Sequence, residues 1–520
     1  MNLDAHLDNS KKGFLIFAAG LVAFVGGLSF YFAGTAGNKI FGAEPVRMDI
    51  LDSGFAEISG QGRVAGAFSA QTPSGEASSM PVLVYHGIVD KADGVNVTKQ
   101  QFLEQMKELA AAGWQTVSLD DFGAFARGDK KLPTKSFLLT FDDGRKDSFY
   151  GADPVLKLLG FRATMFVITG SSFNDKTTYY LNRNELAFMR DSGRWDLGAH
   201  AQVGHDPRPI DGSGNSGNFL SNRIWLEQKN RLETEEEYHN RVATELSGIK
   251  TDLKNQLGVV PAAYAFPYGD YGVDSKNVPN DQNFLLAEVA KNYSTAFTQT
   301  RSDTYFTQNY PENSAFYLAK RITVEGNWQG KDLLNAVTAG IAKELPWSED
   351  FSNSKDWVPT WGNSVGQNGV QVLSPTASST GASVYLDGGN KLSKYKFSSL
   401  VQLKAGQSFS LLAAYIDDNN YLSCNYSSAG ITINEVTDGR KKEVSSWWFK
   451  FPQINSEEIS AGIELMDGRA RCLLNGKVVL TTDRVSEKLI EGSVGFKVWD
   501  PQPDKASLII KKAVIEPISE

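Results

Sequence analysis

The sequence predicts an α/β domain built on a parallel sheet, open or barrel-like, then an all-β sandwich, the two preceded by one membrane-spanning helix. Three observations carry this. Strand-like and helix-like runs alternate regularly from Pro81 to Leu345, the pattern of β-α units that makes parallel sheets. Past Leu345 helical spacing stops and short strand-like runs recur between turn residues. Near the N-terminus lies an uncharged apolar run too long for an ordinary core helix.

That run, Phe14 to Gly34, reads FLIFAAGLVAFVGGLSFYFAG, 21 residues without a charge. At about 1.5 Å per residue such a helix crosses a hydrocarbon core of about 30 Å. Lys11 and Lys12 precede it, which favours a cytoplasmic tail (1–13), a retained signal anchor (14–34) and an extracytoplasmic remainder. A cleaved signal peptide is the competing reading, because Gly34-Thr35-Ala36 offers small residues. Residues 35–79 are rich in Gly, Ser and Ala and read as a spacer, with some apolar content between Ile50 and Phe68 that can pack locally.

The α/β domain is expected over 80–345. PVLVYHG (81–87) is a β-branched strand. Thr98 and Gln101 make a capping box before Phe102, Met106 and Leu109 at helical spacing. WQTVSL (114–119) and SFLLTF (136–141) read as buried strands, DPVLKLLG (153–160) as helix and RATMFVITG (162–170) as strand. RNELAFMRDSG (183–193) is a helix closing on glycine, and WDLGAH (195–200) a strand. A long amphipathic helix runs from Glu233 to Gly258. AAYAFPYG (262–269), STAFTQT (294–300) and FYLAKRITVEG (316–326) are strands, and KDLLNAVTAGIAKEL (331–345) is the closing helix. The polar, glycine-rich stretch Asp206 to Asn230 is a lid, a groove wall or a disordered insertion.

In barrels of this kind the chemistry sits past the C-terminal ends of the strands. There the sequence places His86, Asp142-Asp143-Gly144, His200 with His205, and Pro267-Tyr268-Gly269. Each motif alone is more often a turn or surface decoration. The coincidence is what counts: three of the five histidines and an acidic pair fall at or just past strand ends of one domain. Two imidazoles and a carboxylate are a three-ligand zinc set that leaves a position open. A second carboxylate can take a proton from water, a backbone N–H can hold a developing oxyanion, and another histidine can protonate a leaving group. This is equipment for hydrolysing an amide or ester.

Composition excludes other classes. Hydrophobic residues are 41% and charged residues 22% of 520, an ordinary globular balance. A net charge of −8 and a pI near 5.4 argue against nucleic acid as partner. Two cysteines exclude a disulfide-dense scaffold and a four-cysteine zinc site. The phosphate-cradling and nucleophile-elbow motifs have no match in the right context.

These residues resemble the polysaccharide deacetylases, carbohydrate esterase family 4, also called the NodB-homology domain. Thr140-Phe141-Asp142-Asp143-Gly144 matches the family's first motif outright. The resemblance implies a distorted (β/α) barrel, Asp142 as general base, and a divalent metal, Zn²⁺ or another transition ion, on Asp143, His200 and His205. It implies that the Tyr268 N–H lines the oxyanion hole. Three departures stand out. His200 and His205 are five residues apart where four is usual, Ala265 stands where the family carries an arginine, and no histidine follows His239 to supply the late Leu-x-His motif. All three, with the PVLVYHGI strand, look like the poly-β-1,6-N-acetylglucosamine deacetylase branch, in which the early histidine takes the acid role; here that is His86. By position Pro267, Phe266, Arg321 and Trp328 are candidate sugar contacts.

Over 346–520, twelve short runs with Asp467-Gly468 and Asn475-Gly476 turns argue an antiparallel sandwich. WSEDFSNSKDW, LLNGKVV and SVGFKVWD resemble the concanavalin A-like or laminin-G-like jelly rolls, which often bind carbohydrate. Trp447, Trp448, Tyr415 and Trp499 are candidates for sugar stacking or for the core. Cys424 and Cys472 both fall here, and their pairing stays open.

The expectation is a membrane-anchored, extracytoplasmic deacetylase of an N-acetylated surface polysaccharide, with exopolysaccharide synthesis or export machinery as a partner. An O-acetyl esterase and an inactive carbohydrate-binding or assembly protein are the alternatives.

Overall fold

The computed structural model describes residues 45–60, 75–174, 178–300, 306–352 and 355–518. The expected membrane segment 14–34 lies outside them. Among the described residues no helix is long and apolar enough to cross a membrane. Within the expected spacer, helix α1 (Met48–Gly60) folds back onto the α/β domain: Leu51 is buried and the Arg47 N–H donates to the Tyr150 hydroxyl at 3.0 Å.

Seven parallel strands close into a barrel: β1 (Val82–Tyr85), β2 (Ser136–Phe141), β3 (Ala163–Ile168), β4 (Trp195–Ala201), β5 (Ala263–Ala265), β6 (Thr295–Gln299) and β7 (Tyr317–Thr323). Each pairs with the next in parallel, and β7 returns to β1. Helices α2 (Lys99–Ala111), α3 (Leu119–Ala126), α4 (Lys146–Leu159), α5 (Arg183–Asp191), α6 (Glu235–Leu257), α7 (Asp281–Ala290) and α8 (Gly330–Thr338) follow in turn. The capping box before α2 forms as expected, with the Gln101 N–H donating to Thr98 Oγ1.

Two expectations change. The run 114–119 is strand only over Gln115–Thr116, because Ser118 Oγ accepts the Asp121 N–H at 3.0 Å and starts α3 instead. The closing helix ends at Thr338, not 345: Gly340 takes φ 68°, and the chain then runs into the sandwich, where the Lys343 N–H donates to the Gly388 carbonyl at 2.9 Å. The stretch after His205 is ordered. Short strand pairs form at Arg208–Pro209 with Ser216–Gly217 and at Trp225–Leu226 with Arg231–Leu232.

Strand alternation separates two apolar layers. Leu83, Phe137, Met165, Leu197, Tyr264 and Ala296 face the helices. Val82, Leu138, Phe166, Ala263, Phe297 and Ala319 fill the interior. The interior parity carried to the C-terminal strand ends falls on Asp142, His200, Gln299 and Arg321. Polar chemistry therefore caps an apolar plug. Gly198 is required in the plug, since a Cβ there would lie 2.4 Å from the Phe166 ring.

Beyond the barrel an eight-stranded and a seven-stranded antiparallel sheet pack face to face, with Phe397 of one 5.2 Å from Phe496 of the other. A disulfide joins Cys424 of the seven-stranded sheet to Cys472 of the eight-stranded one. Asp467-Gly468 and Asn475-Gly476 take positive φ at both positions, the hairpin geometry their sequence favours. Against the barrel, the sandwich presents Tyr385 and Tyr415, stacked at 5.1 Å, with Phe306 packed 4.9 Å from Tyr385. Tyr415 is wholly buried there, while Trp447, Trp448 and Trp499 are exposed.

Candidate active site

All the strand-end residues converge on one end of the barrel. Asp142 and Asp143 follow β2 directly. Asp143 and Gly144 both sit in the left-handed region, at φ 73° and 71°. A non-glycine residue there costs about 1–2 kcal/mol, strain of the kind stored at functional sites. The turn sends the two carboxylates to different partners.

Asp143 Oδ1 lies 3.4 Å from His200 Nε2 and 3.3 Å from His205 Nε2. The three donor atoms all fall within 4.8 Å of one another, and among the described residues no other group of His, Cys, Asp and Glu does so. His200 Nδ1 is 2.8 Å from the Ala265 carbonyl, which only accepts, so Nδ1 carries the proton and Nε2 keeps its lone pair for the cluster. Burial alone would raise the Asp143 pKa, but contacts with His200 and His205 hold it far below the carboxylate range. Burial works against the His205 imidazolium, yet Asp143 and Asp206 outweigh it and lift its pKa. A carboxylate oxygen and two imidazole Nε2 atoms gathered at one point fit a divalent transition metal.

The loop between the two histidines is held by a residue distant in the chain. Glu245 reaches in from α6, and its carboxylate accepts the N–H groups of Gln202 (2.6 Å), Val203 (3.1 Å) and Gly204 (2.9 Å). The longer loop is thus tied down between its two ligands.

Asp142 is fully enclosed, and Arg321 of β7 meets it with two bonds, Nη1 to Oδ1 at 2.6 Å and Nη2 to Oδ2 at 2.8 Å. Burial pushes the carboxyl up; Arg321 first, then His200 and His86, brings it below its ordinary value. Arg321 rests over the rings of Phe166 and Phe297 and donates to the Thr298 carbonyl at 3.2 Å. The guanidinium missing at Ala265 therefore arrives from β7. Gln299 adds a longer contact, Nε2 to Asp142 Oδ2 at 3.5 Å.

His86 follows β1, and its carbonyl accepts from Ser148 Oγ. Burial lowers its pKa against the pull of Asp142 and Asp143. Tyr268 holds φ 58° in the Pro-Tyr-Gly turn, with its ring 5.2 Å from that of His205. Gly269 must be glycine: at φ 67° a Cβ would meet Gln299 N at 2.7 Å.

The expected sugar contacts fare differently. Arg321 and Phe266 are wholly enclosed and offer no surface to a sugar: the first is committed to Asp142, the second packs edge-on to Tyr264. Pro267 is also buried. Trp328 is half-buried against the barrel core, and its carbonyl accepts from Gln105 Nε2 at 2.9 Å. His239 stacks on Phe284 at 3.9 Å, on the helical layer and outside the site. Sequence reading missed Glu245 and Gln299. The second stood at a strand end and was open to the same rule; the first lies on a helix about forty residues away with no signal of its role.

Residues 129–286 match the polysaccharide deacetylase family model. YxkH of Bacillus subtilis (strain 168) is 34% identical over 125 residues, 24% of this chain and 43% of that protein. The poly-β-1,6-N-acetyl-D-glucosamine N-deacetylase of Staphylococcus epidermidis (strain RP62A) is 30% identical over 176 residues, 34% and 54% of the two chains. Its Escherichia coli (strain K12) namesake is 25% identical over 202 residues, 36% and 30%. The chain thus spans between about a third and a half of these relatives' lengths. The deacetylase domain of BpsB from Bordetella bronchiseptica aligns with a TM-score of 0.40 at 21% identity, over 48% of this chain and 98% of that one.

Proposed function

From a chain that carries a polysaccharide deacetylase domain, we propose an enzyme that removes acetyl groups from an N-acetylated amino-sugar polysaccharide of the poly-β-1,6-N-acetylglucosamine type. One observation carries the reading: Asp143, His200 and His205 converge on a point beside Asp142, whose ionised form Arg321 fixes.

Asp143, His200 and His205 are the residues that would hold the metal, Zn²⁺ in our reading; a bound divalent metal polarises a carbonyl oxygen and acidifies water. The chain supplies the remaining steps. Asp142 takes the proton of the attacking water. The Tyr268 N–H donates to the oxyanion as the acetamide carbon becomes tetrahedral. In its imidazolium form His86 gives a proton to the departing amine, acetate and a free amino sugar leave, and the proton taken up by Asp142 returns through water to His86. A depressed Asp142 pKa keeps the base ionised at neutral pH, as its task demands.

The same reading sets the barrel outside the cytoplasm, held by the 14–34 segment near exopolysaccharide machinery. The Cys424–Cys472 bridge supports this, since disulfides persist in oxidising compartments. The test is acetate release from N-acetylglucosamine oligomers, with and without chelator. Activity is expected in the metal-loaded wild type and not in Asp142→Asn; release of acetate by Asp142→Asn at the wild-type rate would sink the mechanism.

A further inference from the structure

Between the barrel and the sandwich lies a cavity of about 650 Å³, within the range of ligand sites, about 300–1,000 Å³. Its barrel wall is Thr298 and Gln299 at the end of β6 with Tyr271 and Val273 beyond the Pro-Tyr-Gly turn. Gln299 also touches the Asp142 carboxylate, and Thr298 Oγ1 donates to the Gly269 carbonyl at 2.7 Å. The cavity therefore begins one side chain from the reacting centre. Its opposite wall belongs wholly to the sandwich, through Ile416, Asp417 and the 487–491 segment.

We propose that this cavity is a polymer subsite, in which the sandwich grips sugar units flanking the one that the barrel deacetylates. The inference rests on the deacetylase reading for its catalytic neighbour. Three features select the occupant. Val273 from the barrel and Ile416 and Ile490 from the sandwich are exposed apolar side chains lining both walls, which suits the C–H faces and acetyl methyls of N-acetylated sugars. The charged lining balances, with Lys320, Lys391 and Lys488 against Asp417, Glu487 and Glu491. Lys391 and Glu491 are paired at 3.2 Å. A lining of zero net charge gives no overall attraction to a polyanion or a polycation, so it favours a neutral chain. The walls are also fixed relative to each other. The Phe306–Tyr385–Tyr415 cluster packs barrel against sandwich, and Lys343 after α8 is paired with Asp356 at 2.6 Å. A preformed wall loses little freedom when the ligand binds.

Ile416→Trp fills the cavity from the sandwich and Val273→Trp from the barrel. The full chain is compared with each variant on β-1,6-linked N-acetylglucosamine hexamer and dimer. The expected result is that the hexamer-to-dimer ratio of kcat/KM falls about tenfold in both variants, mainly through KM. Calorimetric binding of the hexamer to the Asp142→Asn background should weaken by about the same factor, and this readout needs no turnover. An unchanged ratio and unchanged binding, in variants that melt as the wild type does, would overturn the subsite. Hexamer binding that weakens in the variants while no protein releases acetate would keep the subsite and reject the deacetylase reading. Tighter binding of a polyuronate than of the hexamer would reject the neutral occupant.

Discussion

Arg321 and Asp142 lie 179 residues apart in sequence and share a two-bond ion pair, both side chains fully enclosed at the C-terminal end of the barrel strands. The pair joins β7 to the end of β2, which are not neighbours in the sheet. Removing one member of a buried pair leaves an uncompensated charge and costs about 3–5 kcal/mol. Arg321→Gln should therefore lower stability by that order. Since Arg321 depresses the Asp142 pKa, its loss raises it, and the base is then ionised only at higher pH. The acidic limb of the kcat/KM–pH profile should move upward in Arg321→Gln and less so in Arg321→Lys, which keeps the charge but not the fork. A limb that stays in place would show that Arg321 does not tune the base.

The metal set makes a stability prediction independent of turnover. With Zn²⁺ at a hundred times its Kd, the native state gains about 2.7 kcal/mol by mass action. Thermal unfolding of the wild-type chain should therefore rise on adding Zn²⁺ and fall back with chelator. His200→Ala and Asp143→Ala should show no such rise.

Glu245 touches no candidate ligand atom, yet it binds three N–H groups of the loop between His200 and His205. Outer partners of a metal site typically cost 10–100-fold in affinity when removed. Glu245→Ala should weaken Zn²⁺ binding by about that factor, and Glu245→Gln, which keeps one acceptor oxygen, by less. Competition with a chelating indicator reads both.

Asp387 sits at the junction with the barrel, where burial pushes its pKa up to about 6 from 3.8. A raised carboxyl pKa means that the folded state disfavours the charged form. The cost is full above pH 6 and is relieved as pH falls through 6 towards 3.8. Relative to wild type, Asp387→Asn should gain about 1 kcal/mol more at pH 8 than at pH 5. Urea titration at the two pH values measures it; an equal difference at both would show that Asp387 does not titrate this way.

The bridge between Cys424 and Cys472 closes a loop with a sequence separation of 48 between the two sheets. Disulfides of this kind contribute about 2–4 kcal/mol, largely by limiting the unfolded chain. A reductant should lower the sandwich unfolding midpoint, and Cys424→Ala should remove its sensitivity to reductant.

Most of the site was legible because its residues sit next to strand ends in the chain. His86 follows β1, Asp142 and Asp143 follow β2, and His200 ends β4, so local pattern and register place them together once the sheet is parallel. The elements that misread were decided by single contacts that periodicity does not encode. Ser118 caps a helix inside an apparent strand, and Gly340 turns the last helix out towards the sandwich. Two of the expected sugar contacts are enclosed for another reason. Phe266 and Arg321 lie beside the site in sequence, but strand alternation sends one into the helical layer and the other into the barrel interior.

The sequence by itself determined the two architectures and placed His86, Asp142, Asp143 and His200 at or just past strand ends of one domain. Those placements depend on period-two and helical patterning, which the chain encodes locally. Tertiary structure alone decided that the base's arginine comes from β7, that Glu245 anchors the histidine loop, that Cys424 and Cys472 meet, and that the sandwich walls a cavity beside Gln299. Each of these joins residues far apart in the chain. Such contacts are set by barrel closure and by domain packing, which bring together side chains whose spacing in sequence carries no trace of the meeting.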